Sequence, residues 1–226
     1  MIRCFVLLLI STSVYSQARS GLDYASDEIR KLQASDAENP GMLWVDQGAA
    51  LFAKECASCH REVKGIAARY PRRENDSVVT LEQKVRHRNP AMPHESDEML
   101  ALTAYIAFAS RGLPFQDNIP ESEVAKGKSE YFRRRGQMNL SCSHCHDASA
   151  GKKLGAETVS QGQPNGYPAY RLEWQKLGSL HRRLRSCMFG LHAKLPPFGS
   201  ELLNELELYL AWRARGLRIE APAVRR

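Results

Sequence analysis

The sequence lacks a long hydrophobic run and contains few cysteines. The apolar stretch Phe5–Ile10 has six residues, and no later segment is apolar for long enough to span a membrane, which takes about 20 residues. Only six cysteines occur in 226 residues. Because four of them fall in the two motifs described below, no disulfide framework is available. These absences exclude a membrane span and a disulfide-stabilised fold.

The first 18 residues have the pattern of a secretory signal peptide. Arg3 supplies a positive charge, Phe5–Ile10 forms an apolar segment, and Ser16-Gln17-Ala18 is a small-x-small cleavage site. We expect the signal to be removed together with Cys4. The mature protein is then expected to be soluble and exported.

Two Cys-x-x-Cys-His pentads, at 56–60 and 142–146, are the most informative feature of the chain. Each has the attachment pattern of a c-type haem. Two thiols at this spacing reach the two vinyl groups of one porphyrin, and the next residue places an imidazole on the iron. The sequence therefore predicts two covalent haem c groups. The predicted attachment residues are Cys56, Cys59, Cys142 and Cys145, and the predicted axial ligands are His60 and His146.

The two halves of the chain repeat each other around these pentads. Gly48 and Phe52 lie four residues apart before the first pentad, as Gly127 and Tyr131 do before the second. We predict a mainly α fold of two tandem class I cytochrome c-like domains in a duplicated chain, in which each Gly/aromatic pair packs against the tyrosine of its closing helix. At an offset of 104 residues, Ser200, Leu206, Tyr209, Ala211, Arg215, Gly216 and Leu217 repeat Ser96, Leu102, Tyr105, Ala107, Arg111, Gly112 and Leu113.

The repeat suggests how the chain is divided. We expect a signal peptide at 1–18, a surface-wrapping segment at 19–44, a first cytochrome c domain at 45–113, a linker at 114–120 and a second domain with the active site at 121–226. The first helix is predicted to start at Asp46. The second half has 18 additional residues between its pentad and the closing helix, in a stretch that includes 166–175. A substrate channel or a partner surface could be built there, and a decorative loop is the alternative.

The sixth iron ligand of the first half is expected from the segment before the closing helix. Met92, in a Met-Pro pair, is the first candidate because a thioether ligand raises the potential of an electron-transfer haem. His94 and His87 are alternative imidazole ligands. Simple packing of Met92 against the haem edge also remains open.

The second half has no Met-Pro, but it has a lone cysteine, Cys187, where a sixth ligand could arise. Arg182, Arg183 and Arg185 precede it, and cations lower the pKa of a thiol. Arginines also bind small oxyanions in a bidentate manner. His181 and Met188 are rival ligands. The arginines could instead form a solvated face or a docking patch for an acidic protein.

Taken together, these segments resemble the SoxA family, the catalytic subunits of the SoxAX cytochromes of periplasmic sulfur oxidation. The resemblance covers almost the whole mature chain. It is carried by both pentads and by the segments 39–45, 166–168, 170–174, 183–187 and 206–211. The pentads alone are not specific to the family, but the other segments together are.

The resemblance implies a function and its residues. With a small SoxX-like cytochrome, such a protein is an L-cysteine S-thiosulfotransferase, which couples thiosulfate oxidatively to a cysteine of the carrier SoxY in SoxYZ and passes electrons through its haems to a downstream cytochrome. Cys187 would ligate the second haem and carry a persulfide, and Arg183 would bind substrate. A net charge of +7 suits thiosulfate and an acidic partner rather than nucleic acid.

In one place the sequence departs from the family pattern. Two-haem members carry a Cys-Arg pair after the first pentad that ligates the first haem, whereas Arg88 stands there in this chain. Met92 or His94 must therefore replace that ligand. A dihaem electron carrier and a thiosulfate dehydrogenase that forms tetrathionate are the rival functions.

Overall fold

The structure is a computed structural model that describes residues 17–58, 60–115 and 118–226. Most of the predicted signal peptide therefore lies outside the described residues, and so does Cys59. In the described part no helix is long and apolar enough to cross a membrane. The α-helices are α1 Asp27–Ala34, α2 Met42–Glu55, α3 Leu81–Arg88, α4 Asp97–Phe108, α5 Ala125–Phe132, α6 Cys142–His146, α7 Leu180–Gly190 and α8 Glu201–Arg213.

Short strands form three small sheets. The strands are β1 Arg72–Glu74, β2 Ser77–Val79, β3 Lys153–Leu154, β4 Glu157–Thr158, β5 Ala169–Arg171, β6 Lys176–Gly178 and β7 Ala223–Arg225. β1 pairs with β2 and β3 with β4, while β5 lies between antiparallel β6 and parallel β7. The second-half insertion thus contains a β5–β6 hairpin, followed by α7.

The main helix pairs are α2 with α4 and α5 with α8, and the two pairs meet in the same way. A Cβ added to Gly48 would lie 2.0 Å from the Ala101 carbonyl oxygen, and one added to Gly127 would lie 2.0 Å from the Glu205 carbonyl oxygen. Only glycine permits so close a backbone approach. The predicted contacts with the closing-helix tyrosines are confirmed. The ring centroids are 5.4 Å apart for Phe52 and Tyr105 and 5.2 Å apart for Tyr131 and Tyr209.

We expect Gly127→Ala to lower the free energy of unfolding by about 2 kcal/mol or more, because the methyl group can fit only if α5 and α8 separate. Chemical denaturation of the haem-loaded protein measures this. Gly190→Ala is the matched control, since a Cβ at this helical position meets no atom within 4 Å. Equal unfolding midpoints for the two variants would contradict the close approach.

The start of α2 differs from the sequence-based expectation. The helix begins at Met42, four residues before Asp46. The reason is a long-range contact: the buried Asn39 side chain accepts a hydrogen bond from the Gly41 N–H (2.9 Å) and donates one to the Pro222 carbonyl (3.0 Å). This anchors the chain just before the helix, and such an anchor cannot be inferred from local sequence.

The C-terminal segment returns to the first half of the molecule. Ile219 and Ala221 belong to the core that includes Phe52 and Leu102, and the Gly112 N–H donates to the Ile219 carbonyl at 2.9 Å. Phe115, in the predicted linker, packs against the cores of both halves. The two halves therefore share core residues.

Candidate functional site

The second pentad is helix α6, and a local cap fixes its orientation. The Ser141 hydroxyl lies 2.7 Å from His144 Nδ1, and the Ser141 N–H donates to the same nitrogen at 3.2 Å. This capping box satisfies the start of the helix. It also occupies His144, the middle residue of the pentad, and leaves His146 as the histidine that can face a porphyrin.

His146 is held in the tautomer that an iron ligand needs. Its Nδ1 lies 2.7 Å from the Ser160 carbonyl oxygen, so Nδ1 donates to that oxygen and Nε2 is the nitrogen that could bind a metal. The loop can close on the ring because of Gly162, where φ is +69° and an added Cβ would lie 2.9 Å from Nδ1. Ser160 and Gly162 were not predicted from the sequence, which contains no motif for such a supporting contact.

Cys187 lies on α7 and faces His146. Burial raises the pKa of the Cys187 thiol, but a hydrogen bond with His146 and the charges of Arg183 and Arg171 outweigh it, so the pKa is below its ordinary value. By contrast, burial raises the pKa of the Cys142 thiol to about 11. The surroundings of Cys187 thus favour its thiolate, whereas those of the attachment cysteine Cys142 favour its thiol.

These residues fit a haem. Two covalent attachments would come from the two thiols of α6, and two iron ligands from the oriented imidazole of His146 and the facing thiol of Cys187. The rival ligands are engaged elsewhere. His181 is buried with its Nε2 3.2 Å from Glu207, and Met188 is buried in the core that includes Leu206.

Three of the four arginines near this site are engaged by neighbouring groups. Arg171 is almost fully buried between Glu173 (2.8 Å) and Glu157 (3.5 Å). Arg182 lies 3.7 Å from Glu95 and over the Trp174 ring. Arg185 donates to the Pro196 carbonyl and lies over the Phe198 ring. The arginines are therefore not simply a solvated face.

Arg183 is the exception. Within the described residues its guanidinium neither makes a hydrogen bond nor lies over an aromatic ring, and its nearest ion-pair partner is Glu173 at 3.9 Å. Burial lowers the pKa of Arg183, but its negative neighbours, Cys187 first, outweigh this and raise the pKa, so the side chain stays charged. A planar guanidinium whose N–H groups are not hydrogen-bonded, beside a thiolate, can bind an oxyanion in bidentate fashion.

The first half places Met92 and the histidines differently. Met92 is partly buried and packs against the same core as Cys56, and Arg86 Nε donates to its carbonyl at 3.0 Å. His60 follows Cys56 in the pentad, with its ring centroid 6.5 Å from that of Phe52. Cys56 and Met92 thus pack against one core, and the exposed His60 lies beside Phe52 of that core.

The alternative imidazole ligands of the first haem have other surroundings. His94 has Nε2 2.6 Å from Arg86 and Nδ1 3.7 Å from Glu82, and its ring stacks on Phe198 of the second half. His87 is exposed at the end of α3. These surroundings favour Met92 over both histidines as the ligand.

The helical fold, the two pentads and the facing histidine–cysteine pair define a c-type cytochrome. The family model "SoxA/TsdA, cytochrome c domain" matches residues 43–115. Two relatives named "L-cysteine S-thiosulfotransferase subunit SoxA" align over 93% of this chain. The one from Pseudaminobacter salicylatoxidans is 37% identical over 82% of its own length, and the one from Rhodovulum sulfidophilum is 34% identical over 81%.

A solved structure agrees with these sequence matches. A chain of the structure described as "Crystal structure of SoxXA from P. pantotrophus" superposes with a TM-score of 0.85 at 30% identity, covering 92% of this chain and 87% of that one. The protein belongs to the SoxA family, and its cofactor is c-type haem, attached covalently.

Proposed function

We propose that this protein is the catalytic subunit of an L-cysteine S-thiosulfotransferase. It joins thiosulfate to the cysteine of the carrier SoxY in SoxYZ. A new S–S bond forms between the carrier sulfur and the outer sulfur of thiosulfate, while one proton and two electrons leave. The carrying observation is the pairing of a thiolate-prone Cys187 with Arg183, the one arginine of the cluster whose guanidinium, in the described part of the chain, neither makes a hydrogen bond nor lies over an aromatic ring.

The roles of the side chains follow from their positions. Arg183 binds the sulfonate end of thiosulfate and directs the outer sulfur toward Cys187. Cys187 carries the sulfur chemistry as a persulfide, for which thiolate character is required. The second haem would be held by Cys142, Cys145, His146 and Cys187, and the first by Cys56, Cys59, His60 and Met92. When bound, the haems accept the two electrons.

The proposal extends to the assembly and its location. The family and the SoxXA-like fold support a heterodimer with a SoxX-like cytochrome, with electrons passing on to a downstream cytochrome. The signal-peptide pattern supports a periplasmic protein. The equivalent Gly48 and Gly127 contacts support two tandem cytochrome c-like domains.

A product assay tests the function. The haem-loaded complex is incubated with thiosulfate, reduced SoxYZ and an oxidised cytochrome, and SoxY is examined by mass spectrometry. We expect an S-thiosulfonate on its cysteine. Free tetrathionate without carrier modification would identify a thiosulfate dehydrogenase, and the absence of both products would identify an electron carrier.

The first haem permits a separate prediction. We expect Met92→Ala to abolish a methionine-to-iron charge-transfer band and to lower the reduction potential of one haem only, because a thioether ligand raises the potential. Absorption spectra and redox titration measure both. His94→Ala is the matched control and should retain the band. Loss of the band in His94→Ala alone would move the ligand to His94.

A further inference from the structure

A carboxylate from the second-half insertion lies beside the candidate substrate arginine. Glu173 follows β5, in the turn that leads to β6. Its Oε1 accepts a hydrogen bond from Arg171 Nε at 2.8 Å, and the same oxygen lies 3.9 Å from Arg183 Nη1. One carboxylate oxygen is therefore shared unequally by two arginines.

The unequal sharing follows from how Arg171 is held. Its side chain is 5% exposed and also meets Glu157 at 3.5 Å, and its guanidinium lies over the Trp174 ring. Arg171 therefore fixes the carboxylate in place. At 3.9 Å Glu173 does not hydrogen-bond Arg183, so it does not orient that side chain. Its effect on Arg183 is electrostatic.

Glu173 also faces open space. It lines a surface cleft of about 520 Å³ together with Ile29, Leu172 and Arg226, and its side chain is 45% exposed. The same carboxylate thus borders both a solvent cleft and the arginine. An anion that binds Arg183 is therefore repelled by the neighbouring negative charge of Glu173.

We propose that Glu173 sets the affinity of the Arg183 site for oxyanions, keeping it weak enough for sulfur oxyanions to exchange; this rests on the proposed function. The fixed negative charge reduces the positive potential that Arg183 presents. Removing the charge without removing the hydrogen-bond acceptor for Arg171 strengthens anion binding. The direction of the change in anion affinity distinguishes this effect from damage to the site, because damage would weaken anion binding.

The test uses Glu173→Gln in the haem-loaded complex. The amide oxygen still accepts from Arg171, so the turn is preserved. We expect KM for thiosulfate to fall about 5-fold, with kcat changed less than about 2-fold. Sulfate, a dianion without a transferable sulfur, is expected to bind about 5-fold more tightly in calorimetric titration.

Two further variants make the result specific. Glu201→Gln removes the same charge from an exposed side chain of α8 and should leave sulfate affinity unchanged. Glu173→Asp keeps the charge and should stay closer to the wild type than Glu173→Gln does. Unchanged or weaker sulfate binding in Glu173→Gln, or equal tightening in Glu201→Gln, would overturn the proposal.

Formation of the carrier adduct and affinity for sulfate are measured separately, so failure of this proposal can be told apart from failure of the proposed function. If the wild type forms no carrier adduct but Glu173→Gln still tightens sulfate binding, the transferase assignment fails and the role of Glu173 in anion affinity stands. If the adduct forms and sulfate affinity does not respond, the role of Glu173 fails alone.

Discussion

Cys187→Met is expected to abolish thiosulfate transfer while both haems stay attached and the second haem stays low-spin. A thioether can occupy the sixth position opposite His146, but it has no proton to lose and cannot form a persulfide. We expect the rate of S-thiosulfonate formation on SoxY to fall at least about 100-fold, as for loss of a nucleophile. Mass spectrometry and absorption spectra measure product and haem state in one preparation.

The control for this variant lies in the same protein. The first haem is attached through a separate pentad, so its spectrum and potential should not change in Cys187→Met. Full transfer activity with both haems attached would rule out the role of Cys187 and leave the protein an electron carrier.

Arg183→Ala is expected to raise KM for thiosulfate about 10- to 100-fold with a smaller effect on kcat. The loss corresponds to about 1.5–3 kcal/mol, the value of hydrogen bonds to a charged group. Arg183→Lys should recover part of the affinity, because it keeps the charge but lacks the planar fork. Steady-state kinetics with SoxYZ as acceptor separates the two constants.

Removal of a positive charge elsewhere on the protein is the control for Arg183→Ala. Arg30 lies on α1 with a half-exposed side chain, and Arg30→Ala should leave both kinetic constants unchanged. A KM unaffected by Arg183→Ala would mean that another group binds thiosulfate.

Much of the candidate site could be predicted because its chemistry is local in sequence. The pentads fix two thiols and an imidazole within five residues, and a covalent cofactor requires that spacing wherever it lies in the fold. Cys187 stood out by elimination and by its arginine neighbours. The Gly/aromatic spacing of α2 and α5 likewise anticipated the contacts with Tyr105 and Tyr209.

Other features depend on residues that are distant in sequence. The early start of α2 needs Pro222, and the stacking of His94 on Phe198 needs the second half of the chain. Neither hydrophobic periodicity nor secondary-structure propensity predicts contacts of this kind. They form only when the two halves pack.

The sequence by itself determined that the cofactor is c-type haem, and it predicted the residues that attach it and a helical repeat around them, because each is encoded by short fixed spacings. Only the tertiary structure decided which arginine has a guanidinium without a hydrogen bond or a stacked ring in the described residues, and which carboxylate lies beside it. Arg171, Arg182 and Arg185 have the same chemistry as Arg183, and they differ only in the partners that folding brings to them. Charge and hydrogen-bonding capacity belong to the residue type, whereas their availability is set by three-dimensional contacts.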